Sequence, residues 1–188
     1  SIPTVDLAKV IIDDFISTSA TSGSPTTLSL IDLAELSGTV PAPLTAFSND
    51  TSTMLDSDYA AVSNARSGAK DFSSSSKINQ IDLIHFLDNL STDSAKTLAN
   101  ALRGCVKYNR SGMSVTNANG VTIYFPYQSL GKVSTALSTY NKIGMNKSYT
   151  NCIKSFASMA ASGQVTSGSS QNAMGSLLGN SSGSLLGS

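Results

Sequence analysis

The chain reads as an α/β protein, helices packed on a small sheet, and three observations predict it. Gly120-Val-Thr-Ile-Tyr-Phe-Pro-Tyr127 is a β-branched and aromatic run that begins at Gly and stops at Pro. That is the pattern of a buried strand with a defined end. Thr26-Thr-Leu-Ser-Leu-Ile-Asp-Leu33, bounded by Pro25 and Gly38, is a second short run of the same kind. Most of the remainder up to residue 161 places apolar residues at helical spacing.

Taken in order, Pro3 suits a first helical turn, and Val5, Ala8, Ile11 or Ile12 and Phe15 follow at helical spacing. Asp6 complements the helix dipole. A helix is predicted over residues 3–18, then a Ser/Thr/Gly loop to Pro25 and the strand over 27–33, with a turn at Ala34-Glu-Leu-Ser37. Pro41 and Pro43 open a second helix whose inward face carries Val40, Leu44, Phe47 and either Met54 or Leu55. A third helix is expected within 56–71, holding Tyr59, Val62 and Ala65, and Ser73-Ser-Ser-Ser76 reads as a solvated link.

Ile78 to Leu90 is predicted as an amphipathic helix with Ile81, Ile84, Phe86 and Leu87 inward. Thr92 or Asp93 caps the next helix, which carries Ala95, Leu98, Leu102, Cys105 and Val106 and is expected to end near Tyr108-Asn109. Met113–Val115 and Val121–Phe125 flank a hairpin-like connection over 116–120. Two helices follow, around 129–142 and 147–161, the second with Tyr149, Cys152 or Ile153, Phe156 and Met159 on one stripe. From Ser162 to Ser188 the composition is that of a Gly/Ser-rich linker or tail, in which Gly-Ser-Leu-Leu-Gly occurs at 175–179 and 183–187. The expected organisation is one unit over residues 1–161 followed by this tail.

With 188 residues the chain is long enough for one domain with a sizeable core. Charged residues make up 13%, about half the usual share. Twelve basic and twelve acidic residues cancel, which leaves no electrostatic footprint for a nucleic acid. No run reaches the roughly 18 apolar residues that span a bilayer. Ser1 stands where an initiator Met would, with no charged-then-apolar leader, so a piece of a longer precursor is expected. Abundant Ser and Thr at zero net charge fit a secreted or cell-surface protein. Cys105 and Cys152 allow one disulfide or two free thiols; each falls on an apolar helical stripe and reads as a small buried hydrophobe.

The order of these features resembles the part of clostripain-like cysteine peptidases that follows the catalytic Cys. It is carried by Leu7-Ala-Lys-Val-Ile-Ile-Asp-Asp-Phe15, Thr27 to Leu33, Asp82-Leu-Ile-His-Phe-Leu-Asp88, Ala101-Leu-Arg-Gly-Cys-Val-Lys-Tyr-Asn109 and Gly120 to Tyr127, spread over residues 3–160. The resemblance implies a sheet sandwiched by helices, as in caspase-like peptidases, and cleavage of peptide bonds after Arg or Lys. It implies a thiolate nucleophile, a His partner and backbone donors for the oxyanion. In the family the His lies in a His-Gly setting after one strand and the nucleophile in an Asp-Ala-Cys setting after the next. Neither setting occurs here.

His85, the one histidine, sits mid-helix in Ile-His-Phe-Leu, and Cys105 and Cys152 lack the electropositive, partly exposed surroundings that activate a thiol. No catalytic residue is therefore assigned in this chain, and its substrate-binding residues are unknown. No metal site is expected from one His and two distant Cys, and no cofactor is expected. Asp13 and Asp14 diverge on a helix, and Asp56 and Asp58 have no partner in view. Asp32, at the end of the first strand, stands where a cleft would form, although a local turn or cap contact is the preferred reading.

The function expected from the resemblance is that of a non-catalytic C-terminal (heavy-chain) portion, completing the sheet of a catalytic half. Its partner would be the N-terminal catalytic portion of the same precursor, which carries the protein or peptide substrate. The alternative is a non-enzymatic secreted interaction module on a related scaffold.

Overall fold

The computed structural model describes residues 3–72, 79–126 and 130–162. The Ser73–Ser76 link, Ile78, Tyr127 and the tail beyond Ser162 lie outside them. The chain is mixed α/β and mostly helical: α1 (Thr4–Thr21), β1 (Thr27–Ile31), α2 (Leu33–Thr39), α3 (Pro41–Ser57), α4 (Tyr59–Gly68), β2 (Gln80–Asp82), α5 (Leu83–Leu90), α6 (Asp93–Cys105), β3 (Val106–Ser111), β4 (Thr122–Tyr124), α7 (Leu130–Lys142) and α8 (Lys147–Ala161).

The strands form two separate antiparallel pairs among the described residues, β1 with β3 and β2 with β4. Leu28 lies opposite Arg110 and Leu30 opposite Tyr108, with an irregularity between Leu30 and Ile31. In the second pair Ile81 lies opposite Ile123.

Four sequence expectations are corrected, each for a local physical reason. Ala34–Ser37 is not a turn but lies in α2, because the Asp32 carboxylate accepts the Glu35 N–H at 2.9 Å and caps a helix. The helix expected from Ile78 begins only at Leu83; Asn79 has φ 60, Gln80–Asp82 is a strand, and Asp82 caps α5 through the His85 N–H at 2.8 Å. The helix carrying Cys105 stops there, and Val106 to Ser111 is the strand β3, where β-branched Val106 and aromatic Tyr108 pair with β1. No hairpin links Met113–Val115 to Val121–Phe125: β3 and β4 belong to different pairs, and Met113 is wholly exposed.

The core lies among α3, α4, α5, α6, α8 and β4. Phe47, Phe86, Phe125, Phe156 and Tyr149 are all fully buried in it. Ring centroids of Phe86 and Phe125 are 4.8 Å apart, and those of Phe125 and Phe156 are 5.0 Å apart, the latter edge-on. Phe125 thus links the strand end to two helices at once. The β1–β3 pair and α1 stand to one side of this core, outside the main buried cluster apart from the partly buried Ile31 and Val106 that touch it.

Candidate functional site

The sequence supplies three stripes along α1, each made of residues four apart and therefore stacked on one face. Ala8, Ile12 and Ile16 form the central stripe, in which Ile12 and Ile16 are buried. Lys9 and Asp13 flank it on one side: Asp13 accepts the Tyr108 hydroxyl at 2.8 Å, its carboxylate is 3.4 Å from Arg110, and the Lys9 ammonium lies over the Tyr108 ring. Leu7, Ile11 and Phe15 flank it on the other side and are 50%, 57% and 42% exposed. Val5 and Phe15, which the sequence places at helical spacing with Ala8, are exposed, while Ile16, outside that series, is buried. Apolar periodicity alone does not separate two adjacent apolar stripes on one helix.

The β1–β3 pair beneath α1 has no further strand on either side among the described residues. The Gly112 N–H donates to the Thr26 carbonyl and the Asp32 N–H to the Cys105 carbonyl at the two ends of the ladder. By antiparallel alternation Leu28 and Leu30 bond to β3, while the backbone groups of Thr27, Ser29 and Ile31 turn outward.

The second pair is finished differently. The Asp82 N–H donates to the Lys70 carbonyl and the Phe72 N–H to the Gln80 carbonyl, so the 70–72 segment lines the outer edge of β2. On β4, the Tyr124 N–H donates to the Tyr140 hydroxyl at 3.2 Å and the Tyr124 carbonyl accepts from the Tyr149 hydroxyl at 2.8 Å. Asp82 is fully buried, and its carboxylate also accepts from the Asn119 backbone N–H at 2.6 Å and from the Asn119 amide at 3.0 Å.

The titratable side chains singled out in the sequence are used structurally and do not converge. The His85 Nδ1 accepts the Lys70 N–H at 2.9 Å, which occupies that ring nitrogen. Cys105 is buried and bonds back to the Ala101 carbonyl at 3.2 Å. Cys152 is buried, and burial pushes its thiol up to about 11, away from thiolate chemistry. Both cysteines are free thiols, as one of the two sequence readings has it. Asp32 and Asp58 are helix N-caps, so the cap reading of Asp32 holds. The Lys107 ammonium is raised above its ordinary value, first by its hydrogen bond to Glu35.

Among the described residues, no three His, Cys, Asp or Glu side chains cluster to hold a metal. No helix among them is long and apolar enough to cross a membrane. A groove of about 760 Å³ lies between α7 and α8 and is lined by none of the candidate His, Cys or Asp residues. A second, of about 530 Å³, is walled by Leu36, Val40, Leu44, Ile123 and Ile143. Compared with family models, curated proteins and solved structures, the chain matches none. Among the described residues, the β1–β3 pair under α1 is a two-stranded sheet that no further strand extends.

Proposed function

We propose that this chain is the non-catalytic C-terminal portion of a clostripain-like cysteine endopeptidase that cleaves after Arg or Lys. Its role is to complete the sheet and scaffold of a catalytic half, within a larger sandwich of the caspase-like kind. The observation that carries the reading is the two-stranded β1–β3 pair, lying beside the core under a helix with exposed Leu7, Ile11 and Phe15. A two-stranded sheet is at best marginal alone and gains stability from a packed helix, here α1, or from further strands. The lack of any Cys–His pairing among the candidate residues fits the same role, since the nucleophile and its base then reside on the partner.

Mass spectrometry of the protein isolated from its source tests this directly. The expected result is a second polypeptide of the same precursor that remains bound, with a His-Gly after one strand and an Asp-Ala-Cys after the next. The assembly should hydrolyse Arg- and Lys-terminated peptide amides and lose that activity to iodoacetamide, while the 188-residue chain alone hydrolyses neither. A companion without those settings would transfer the chain to the interaction-module reading.

A further inference from the structure

We infer that the partner adds a strand to the outer edge of β1, not of β3, and seats it beneath the Leu7/Ile11/Phe15 stripe of α1. The identity of the partner rests on the function proposed above; the seat rests on the geometry of this chain.

The side is set by the flanks of α1. Asp13 and Lys9 reach Tyr108 and Arg110, so their stripe overlies β3. The opposite stripe, Leu7, Ile11 and Phe15, therefore projects over β1 and past it. Along the helix these residues span about 12 Å. The five residues of β1 span about 14 Å, so the apolar overhang and the open edge are of matching length.

Charge points the same way. Edge strands left in water are ordinarily guarded by charged side chains. On β3, Lys107 pairs with Glu35 and Arg110 with Asp13. On β1, Thr-Leu-Ser-Leu-Ile carries no charge at all. The outward N–H and C=O groups of Thr27, Ser29 and Ile31 specify an extended backbone as their complement. The apolar roof specifies aliphatic or aromatic side chains at every second position of that segment.

Amide hydrogen exchange on the source-isolated assembly and on the free chain reads the seat out residue by residue. In the free chain the amides of Thr27, Ser29 and Ile31 should exchange quickly while those of Leu28 and Leu30 stay protected by β3. In the assembly all five should be protected. Ile11→Lys, at a position already exposed, should weaken association at least about tenfold, and Lys9→Ala should leave it unchanged. Protection appearing on the β3 edge instead, a homodimer built through α1, or an assembly indifferent to Ile11→Lys would each overturn the inference.

The two proposals fail separately. A companion lacking the His-Gly and Asp-Ala-Cys settings that still protects β1 ends the peptidase reading and keeps the seat. A peptidase companion bound elsewhere does the reverse.

Discussion

The hydroxyl of Tyr149 donates to the carbonyl of Tyr124 at 2.8 Å, and Tyr149 is itself completely buried. With the Tyr140 hydroxyl accepting the Tyr124 N–H, both outward backbone groups of that residue are met by side chains. The edge of β4 is thereby closed at Tyr124 by two helices, whereas among the described residues no such cap meets β1.

Tyr149→Phe keeps the ring against Phe125 and removes only the donor. The Tyr124 carbonyl then loses its partner, at a cost of about 1–2 kcal/mol. Urea denaturation should show a lower midpoint with an unchanged slope. A variant as stable as the parent would mean that water satisfies this carbonyl and that the cap is incidental.

Arg66 is 4% exposed, donates from Nε to the Phe125 carbonyl at 2.9 Å, and pairs with the Asp71 carboxylate at 3.0 Å. It ties α4 to the end of β4 and to the 70–72 segment. Arg66→Met removes the donor to the buried Phe125 carbonyl and the ion pair with Asp71 and should cost about 2–4 kcal/mol. Arg66→Lys, which keeps the charge but loses the planar fork, should fall between. Equal midpoints for the Lys and Met variants would show that charge, not geometry, is irrelevant at this site.

Helices with one clear apolar stripe were legible in the sequence: Leu44, Phe47 and Leu55 in α3, and Ile84, Phe86 and Leu87 in α5, are buried as their spacing predicts. The strands were harder because their evidence is tertiary. Val106 continues the periodicity of α6, and only pairing with β1 turns the chain into β3. Gln80–Asp82 is too short to show alternation, and it forms because β4 and the 70–72 segment flank it. The edge difference between β1 and β4 was not legible at all, since the tyrosine caps come from helices far along the chain.

Gly120 has φ +103, and a Cβ built there meets the Ser29 Oγ at 2.9 Å and the Val106 Cγ1 at 3.3 Å. This close approach lets the loop before β4 lie against the β1–β3 pair. Gly120→Ala imposes both backbone strain and a clash and should cost about 1–3 kcal/mol. Adding Ser29→Ala relieves the contact with the hydroxyl but not the backbone conformation, so recovery should be partial. Full recovery in the double variant would place the whole effect in the clash.

Alkaline stability should report the buried acids near β4 and α8. Burial raises Tyr149 well above its ordinary 10.0, raises Tyr140 and Tyr124 in the same direction, and takes Cys152 from 9.0 to about 11. Unfolding frees these groups to ionise at their ordinary values, so above pH 9 the unfolded chain binds fewer protons than the native one. The stability held by their neutral forms is complete below about pH 9; the share of Cys152 is lost as pH rises through about 11, and the share of the tyrosines is lost as pH rises above their ordinary 10.0. Guanidinium titrations at pH 7, 9 and 10.5 should therefore give similar midpoints at the first two and a lower one at the third. Tyr149→Phe should flatten that decline, because it removes the most deeply buried phenol. In a separate sample at pH 8, a thiol reagent should find neither Cys105 nor Cys152 until denaturant is added, since both are buried. Rapid modification of Cys152 in the native chain would contradict the packing of α8 against α3 on which the alkaline behaviour depends.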